Sequence, residues 1–171
     1  VNTTGGSYFF TNPMEMNQDL HQLYRATNLV SAVGCKHIED QKGQWVFNND
    51  GAVVIHIGAT DDRRSWPKDH WIKLINLLIK DFKIAVVDVK DAQHIIDKIK
   101  DSRVKIFKGD LIQFKSWLTN QKCLIAPDSM AGHLASYFGI PVVSLFGSQN
   151  PNLTKPKNKY GKIIKPKKSC N

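Results

Sequence analysis

The chain lacks the patterns by which the common metal, redox and nucleotide chemistries show themselves. Its three cysteines, Cys35, Cys123 and Cys170, stand far apart, with no CxxC pair and no histidine at ligand spacing. Neither a zinc site nor a disulfide framework is therefore indicated. There is no GxGxxG run and no Walker loop, which removes the dinucleotide fingerprint and the P-loop. No apolar stretch approaches the roughly 18 to 20 residues of a membrane span, and no signal-peptide pattern is visible. A soluble, cytoplasmic protein is expected, with Cys123, set in an apolar run, as a small core residue in a reducing compartment.

Acidic residues are missing from one region. The last seventeen residues hold seven lysines (Lys155, Lys157, Lys159, Lys162, Lys165, Lys167 and Lys168) and no Asp or Glu. Of the formal net charge of +9, only +2 is left for the rest of the chain, so the body carries no nucleic-acid signature and no nucleic-acid partner is expected. Composition predicts that residues 157–171 form a basic tail, solvated and poorly ordered. The alternative is a contact with an acidic surface or an anionic membrane, which would set the protein peripherally at the inner membrane.

What is present is a regular alternation. From Ala52 onward, the short β-branched runs AVVIHI, KIAVVDV, VKIFK, KCLIAP and PVVSLF read as buried parallel strands. Between them lie PKDHWIKLINLLIKDF, with Pro67 at the first helical position, DAQHIIDKIKD, DLIQFKSWLTN and SMAGHLASYFG, which read as helices. Five strands joined by four helices predict an α/β fold, a doubly wound parallel sheet of Rossmann-like topology over residues 51–156. Upstream, Met16, Leu20, Leu23, Thr27 and Val30 fall at spacings of three and four and predict an amphipathic helix ending near Gly34. Residues 1–50 read as the end of a preceding domain plus a linker. The opening stretch VNTTGGSYFFTNP has the look of the middle of a longer chain, and 171 residues leave room for one α/β domain rather than two.

In an open α/β sheet the ligand lies beyond the carboxyl ends of the strands. After the first strand, GATDDRRSWP offers Gly58 for close backbone approach, the Thr60 hydroxyl, and Arg63 or Arg64 for a phosphate. Trp66 reads as packing at the start of the next helix. After the fourth strand, APDSMAGH opens directly onto a helix. Ser129 suits its cap, and the N–H groups of Met130, Ala131 and Gly132 are left to face an anion. Asp128 would repel a phosphate and is better placed to accept hydrogen bonds from sugar hydroxyls, although plain capping explains Asp128 and Ser129 as well. His133, one turn into the helix, reads as a hydrogen-bonded supporting or core residue rather than a base. After the fifth strand, Ser148, Gln149 and Asn150 can line the same cleft, or simply form a turn between Gly147 and Pro151. In DVKDAQH, Asp88 and Asp91 can meet ribose hydroxyls, or Asp91 can cap the next helix.

Together, GATDDRRSWPKDHW and APDSMAGHLASYFGIPVVSLFGSQNPNLTKP resemble the family 9 glycosyltransferases, the ADP-heptose:lipopolysaccharide heptosyltransferases. The matching positions are Arg64, Trp66, Pro67, Asp128, Ser129, His133, Leu134, Ala135, Phe146, Gly147, Thr154 and Pro156. Where the family carries a glycine in its Asp motif this chain has Met130, and DVKDAQ stands where the family has a glycine pair and Glu. The resemblance implies a GT-B fold, with this chain as the C-terminal, donor-binding half. It further implies that Arg64 neutralises the donor diphosphate, Thr60 supports it, the N–H groups after Asp128 hold it, and Asp128 orients the sugar. The donor is then a nucleoside diphosphate sugar, ADP-linked, used as substrate with no cofactor and no metal, and the acceptor is a glycan or lipopolysaccharide. The family's acidic base lies in the N-terminal domain, so no catalytic residue is expected within this chain, which alone would bind donor without efficient transfer. A non-catalytic nucleotide-sugar-binding or partner-docking module and a GT-B enzyme for another sugar are the alternatives.

Overall fold

The computed structural model describes residues 14–36, 48–59, 61–89 and 92–166. The chain divides into two units: Val1–Asp40 with Asn152–Thr154, and Gln41–Pro151 with Lys155–Asn171. In the first, helix α1 spans Gln22–Ala32, capped by His21, whose Nδ1 accepts from the Leu23 N–H at 3.2 Å. The helix begins later than the Met16 and Leu20 spacing predicts. Asn17 diverts the chain into a turn, its side chain accepting from the Asp19 N–H and its carbonyl from the Leu20 N–H. The expected stop holds: Gly34, at φ +85°, follows the last turn.

The second unit is a six-stranded, all-parallel sheet. Its strands are β1 (Val53–Ile55), β2 (Ile84–Val87), β3 (Val104–Phe107), β4 (Cys123–Pro127), β5 (Val142–Leu145) and β6 (Lys162–Ile164). They lie in the order β3-β2-β1-β4-β5-β6. Helices α2 (Lys68–Leu78), α3 (Ala92–Ile99), α4 (Leu111–Leu118) and α5 (Met130–Tyr137) make the crossovers between β1 and β5. A single turn, α6 (Pro151–Thr154), follows β5 in the chain, its last three residues counted with the first unit. Right-handed crossovers running outward from β1 to β3 and then back to β4 and β5 put α2 and α3 on one face and α4 and α5 on the other.

The two cores show this division. Val53, Ile55 and Ile57 pack with Trp71, Ile75, Ala92, Ile95 and Ile99 on one side. Val54, Leu124, Ala126 and Val142 pack with Phe114, Leu118, Ala131 and Ala135 on the other. Every residue of β1 and β2 is buried, which explains why the inner strands read as continuous apolar runs. Each fully buried Ile is worth roughly 1.5–3 kcal/mol, so these two layers hold the sheet.

Two expectations are corrected. Pro67 is the cap of α2 rather than its first helical residue: its backbone is extended, at φ −55° and ψ 137°, and its carbonyl accepts from Trp71 and His70. The basic tail is also not wholly a solvated end, since Lys162, Ile163 and Ile164 pair in parallel with Val143, Ser144 and Leu145. Two β-branched residues between lysines, offered the open ladder of β5, are enough for a short edge strand. Among the described residues, no helix is long and apolar enough to cross a membrane.

Candidate functional site

The reversal of strand order falls between β1 and β4, and the loops following β1, β4 and β5 meet there. Beyond β1 the chain turns at Gly58. A Cβ there would lie 3.1 Å from Val89 Cγ2 and 3.2 Å from His56 Cε1, so glycine is what lets the loop lie this close to its neighbours. A single 3₁₀ turn, Asp62–Arg64, then sends the two arginines in opposite directions. Asp61 caps the turn, accepting from the Arg63 N–H at 3.0 Å and gripping the Arg63 guanidinium at 2.7 Å. The Arg63 hydrogen bonds hold the Asp61 carboxyl down to about 2, and Arg63 is spent at the surface.

Arg64 points inward. Its Nη1 lies 3.5 Å from the Asp128 carbonyl and 3.8 Å from Asp128 Oδ2. The Arg64 side chain is 28% exposed and that of Asp128 7%. Burial pushes the Asp128 carboxyl above its ordinary range, while the charges of Arg64 and His133 and the Arg64 hydrogen bond pull it back. The pair is long and loosely held, a geometry in which Arg64 can exchange a carboxylate for another anion.

The head of α5 is open. Ser129 takes the cap position with extended backbone, but its hydroxyl makes no cap bond and is buried without a partner among the described residues. This corrects its expected capping role. The Gly132 N–H is not left over either, since it donates to the Ser129 carbonyl at 3.2 Å. Gly132 instead lets Pro156 settle on the helix, where a Cβ would stand 3.1 Å from Pro156 Cγ. The N–H groups of Met130 and Ala131 find no acceptor among the described residues. The Met130 side chain is exposed and that of Ala131 is in the core. His133 is exposed rather than a core residue, close enough to Asp128 for its charge to favour the carboxylate.

The loop after β5 closes the third side. Ser148 Oγ donates to the Arg63 carbonyl at 3.2 Å, so Ser148 clips the arginine-bearing turn in place. Trp66 packs as expected, edge-on to Trp71 at 5.0 Å. Asp88 is drawn towards Lys108, at 3.5 Å, at the β2–β3 end of the sheet. Thr60 and Asp91 lie outside the described residues.

One polar group on this edge was not singled out from the sequence. His56 ends the β1 run, its N–H bonded to the Ile125 carbonyl at 3.0 Å and its ring 6.2 Å from that of Phe114. The ring is largely buried, and burial lowers its affinity for a proton, opposed by the nearby backbone of His56 and Gly58. The available signal was an imidazole in an otherwise apolar strand, at the same side-chain parity as Gly58. Two unsatisfied features thus sit at the head of α5, the Ser129 hydroxyl and the N–H groups of Met130 and Ala131. With Arg64 beside Asp128 they suit a compact, multiply charged anion.

A family model for glycosyltransferase family 9 (heptosyltransferase) matches residues 12–171. The chain belongs to glycosyltransferase family 9. No curated protein sequence matches this family 9 chain. Solved structures share its fold. E. coli heptosyltransferase WaaC with ADP has 19% identity and a TM-score of 0.70, over 93% of this chain and 54% of that one. The family 9 glycosyl transferase of Veillonella parvula has 17% identity and a TM-score of 0.70, over 91% and 51%. E. coli ADP-heptose lps heptosyltransferase II has 16% identity and a TM-score of 0.62, over 92% and 48%. The chain spans about half the length of these proteins.

Proposed function

We propose that this family 9 chain is the donor-binding part of an inverting glycosyltransferase. It takes a heptose-like sugar from an ADP-linked donor for transfer to lipopolysaccharide or another glycan in the cytoplasm. The observation that carries it is the convergence of Arg64, Asp128 and the unsatisfied head of α5 on one sheet edge. The diphosphate meets the Met130 and Ala131 N–H groups and the Ser129 hydroxyl. Arg64 leaves Asp128 for a phosphate oxygen, and the freed Asp128 carboxylate takes the sugar hydroxyls. Negative charge grows on the departing diphosphate in the transition state, so fixed donors here act where they accelerate the reaction. A base from a part of the protein outside this chain removes the acceptor proton, and attack opposite the leaving group inverts the anomeric carbon. The charge is met by the protein's own donors, and no cofactor is needed.

Support for adenine comes from one structural relative, E. coli heptosyltransferase WaaC, whose two structures are named with ADP and with ADP-2-deoxy-2-fluoro heptose. Calorimetry with ADP, UDP and GDP tests the reading: ADP should bind most tightly, and failure of all three to bind would remove the pocket. A second reading is favoured by Met130, whose exposed side chain stands at the mouth of the α5 anion site. In it the fold binds nucleotide sugar without turnover. ADP-heptose consumption by the whole protein in the presence of an acceptor separates the two.

A further inference from the structure

From Ser129 to Asn171 the chain contains seven lysines and no arginine, aspartate or glutamate. The structure turns much of that stretch into a fixed surface. The connector after α6 is pinned to the far end of α5: Ser136 Oγ donates to the Lys157 carbonyl, and Asn158 Nδ2 donates to the Ile140 carbonyl at 2.6 Å. The Asn158 side chain then accepts from the Tyr160 N–H at 2.7 Å, and β6 follows along the edge of the sheet. Lys157, Lys159, Lys162 and Lys165 are exposed along this path. Among them stand Tyr137, Tyr160 and Ile164, which are 60%, 45% and 54% exposed, and Lys159 Nζ lies 5.5 Å from the Tyr160 ring centre.

We propose that this face, from the end of α5 through the connector to β6, docks on an anionic lipid bilayer. Lysine is a strongly hydrated point charge that suits a diffuse field, whereas arginine's fork suits discrete phosphate and base contacts. Lysines alone therefore favour a bilayer over a nucleic acid. Half-exposed tyrosines and an isoleucine among the charges suit the headgroup layer, where one end of a side chain is apolar and the other wet. The face follows the β6 edge, and β5 stands between it and the strands β4 and β1, so docking there leaves the loops after β1 and β4 open.

Lysines on an edge strand also prevent strand-to-strand aggregation, and the test separates that role from docking. Glutamate protects an edge equally well but reverses the attraction, so Lys157→Glu, Lys159→Glu and Lys162→Glu are combined in the full chain. Lys73→Glu, Lys80→Glu and Lys105→Glu, at exposed positions elsewhere, make the same change in net charge. Co-sedimentation is measured with vesicles of equal parts phosphatidylglycerol and phosphatidylcholine, and with phosphatidylcholine alone. The wild-type chain should bind only the anionic vesicles, and the first variant should bind them at least about tenfold more weakly. The second variant should lose at most about threefold, with ADP affinity and melting temperature unchanged in both. Added salt should release the wild-type chain, a readout that stands even if a variant does not fold. Binding that survives the first set of changes, falls equally in the second, or is matched by duplex DNA at the same salt overturns the proposal.

Discussion

Helices α4 and α5 begin at the same edge of the sheet, pack on the same face and each run eight residues, yet their first turns are opposites. Asp110 and Gln113 close α4 with a full capping box: Asp110 Oδ1 accepts from the Gln113 N–H at 2.8 Å and Gln113 Oε1 from the Asp110 N–H at 2.9 Å. At α5 the cap hydroxyl is buried and idle, and two N–H groups are left unmatched among the described residues. A helix that satisfies its own first turn is built to be stable. One that leaves it unsatisfied carries a local deficit that a bound anion removes. The neighbours differ to match, for the loop before α4 carries Lys108 paired with Asp88, while the loop before α5 faces Arg64.

The contrast can be broken most forcefully at Arg64. Arg64→Ala should weaken ADP binding by roughly ten- to a hundredfold, the worth of a charge-assisted contact, read by calorimetry. Unchanged affinity would take Arg64 out of the site. Exchanging the helix caps sharpens the comparison. Asp110→Ala should cost about 0.5–2 kcal/mol of stability, or about 1–8 °C in melting temperature, with ADP affinity intact. Ser129→Ala should do the reverse, leaving the melting temperature within about a degree while ADP binding falls roughly three- to tenfold. Gly132→Ala tests the seat of α5. Its methyl meets Pro156 at 3.1 Å, and a loss of roughly 1 kcal/mol is expected by thermal melting.

The smallest effect concerns pH. Asp128 holds its proton more tightly folded than unfolded, because burial outweighs Arg64 and His133. Its charged form therefore subtracts from stability once pH rises through the interval between its ordinary and raised values, and the subtraction vanishes below that interval. Asp128→Asn should raise the melting temperature slightly at pH 7 and leave it unchanged near pH 3, as thermal scans at the two pH values would show.

Much of this was legible in the residues. Buried parallel strands need unbroken β-branched runs, so AVVIHI, KIAVVDV, KCLIAP and PVVSLF marked β1, β2, β4 and β5, and their order placed the Arg64 and Asp128 loops on one edge. Strand β6 was hidden because three residues between lysines carry little pattern of their own and depend on the open edge of β5. The residues of the loop alone left Arg63 or Arg64 open, and only the resemblance named Arg64, because the choice follows from which way a single 3₁₀ turn faces. Ser129 had the right chemistry for a cap, and only its geometry shows the hydroxyl idle. His56 was masked by the apolar strand around it.

The clasp between Ser148 and the Arg63 carbonyl joins residues 85 positions apart, and the Arg64–Asp128 contact joins residues 64 apart. The contacts that bring the three loops to one another are thus long-range. Loops so distant along the chain close only after the strands between them are in register, so the anion site forms late in folding. Capture of ADP during refolding should lag behind the appearance of sheet and helix, making nucleotide binding a clock for the last step of assembly.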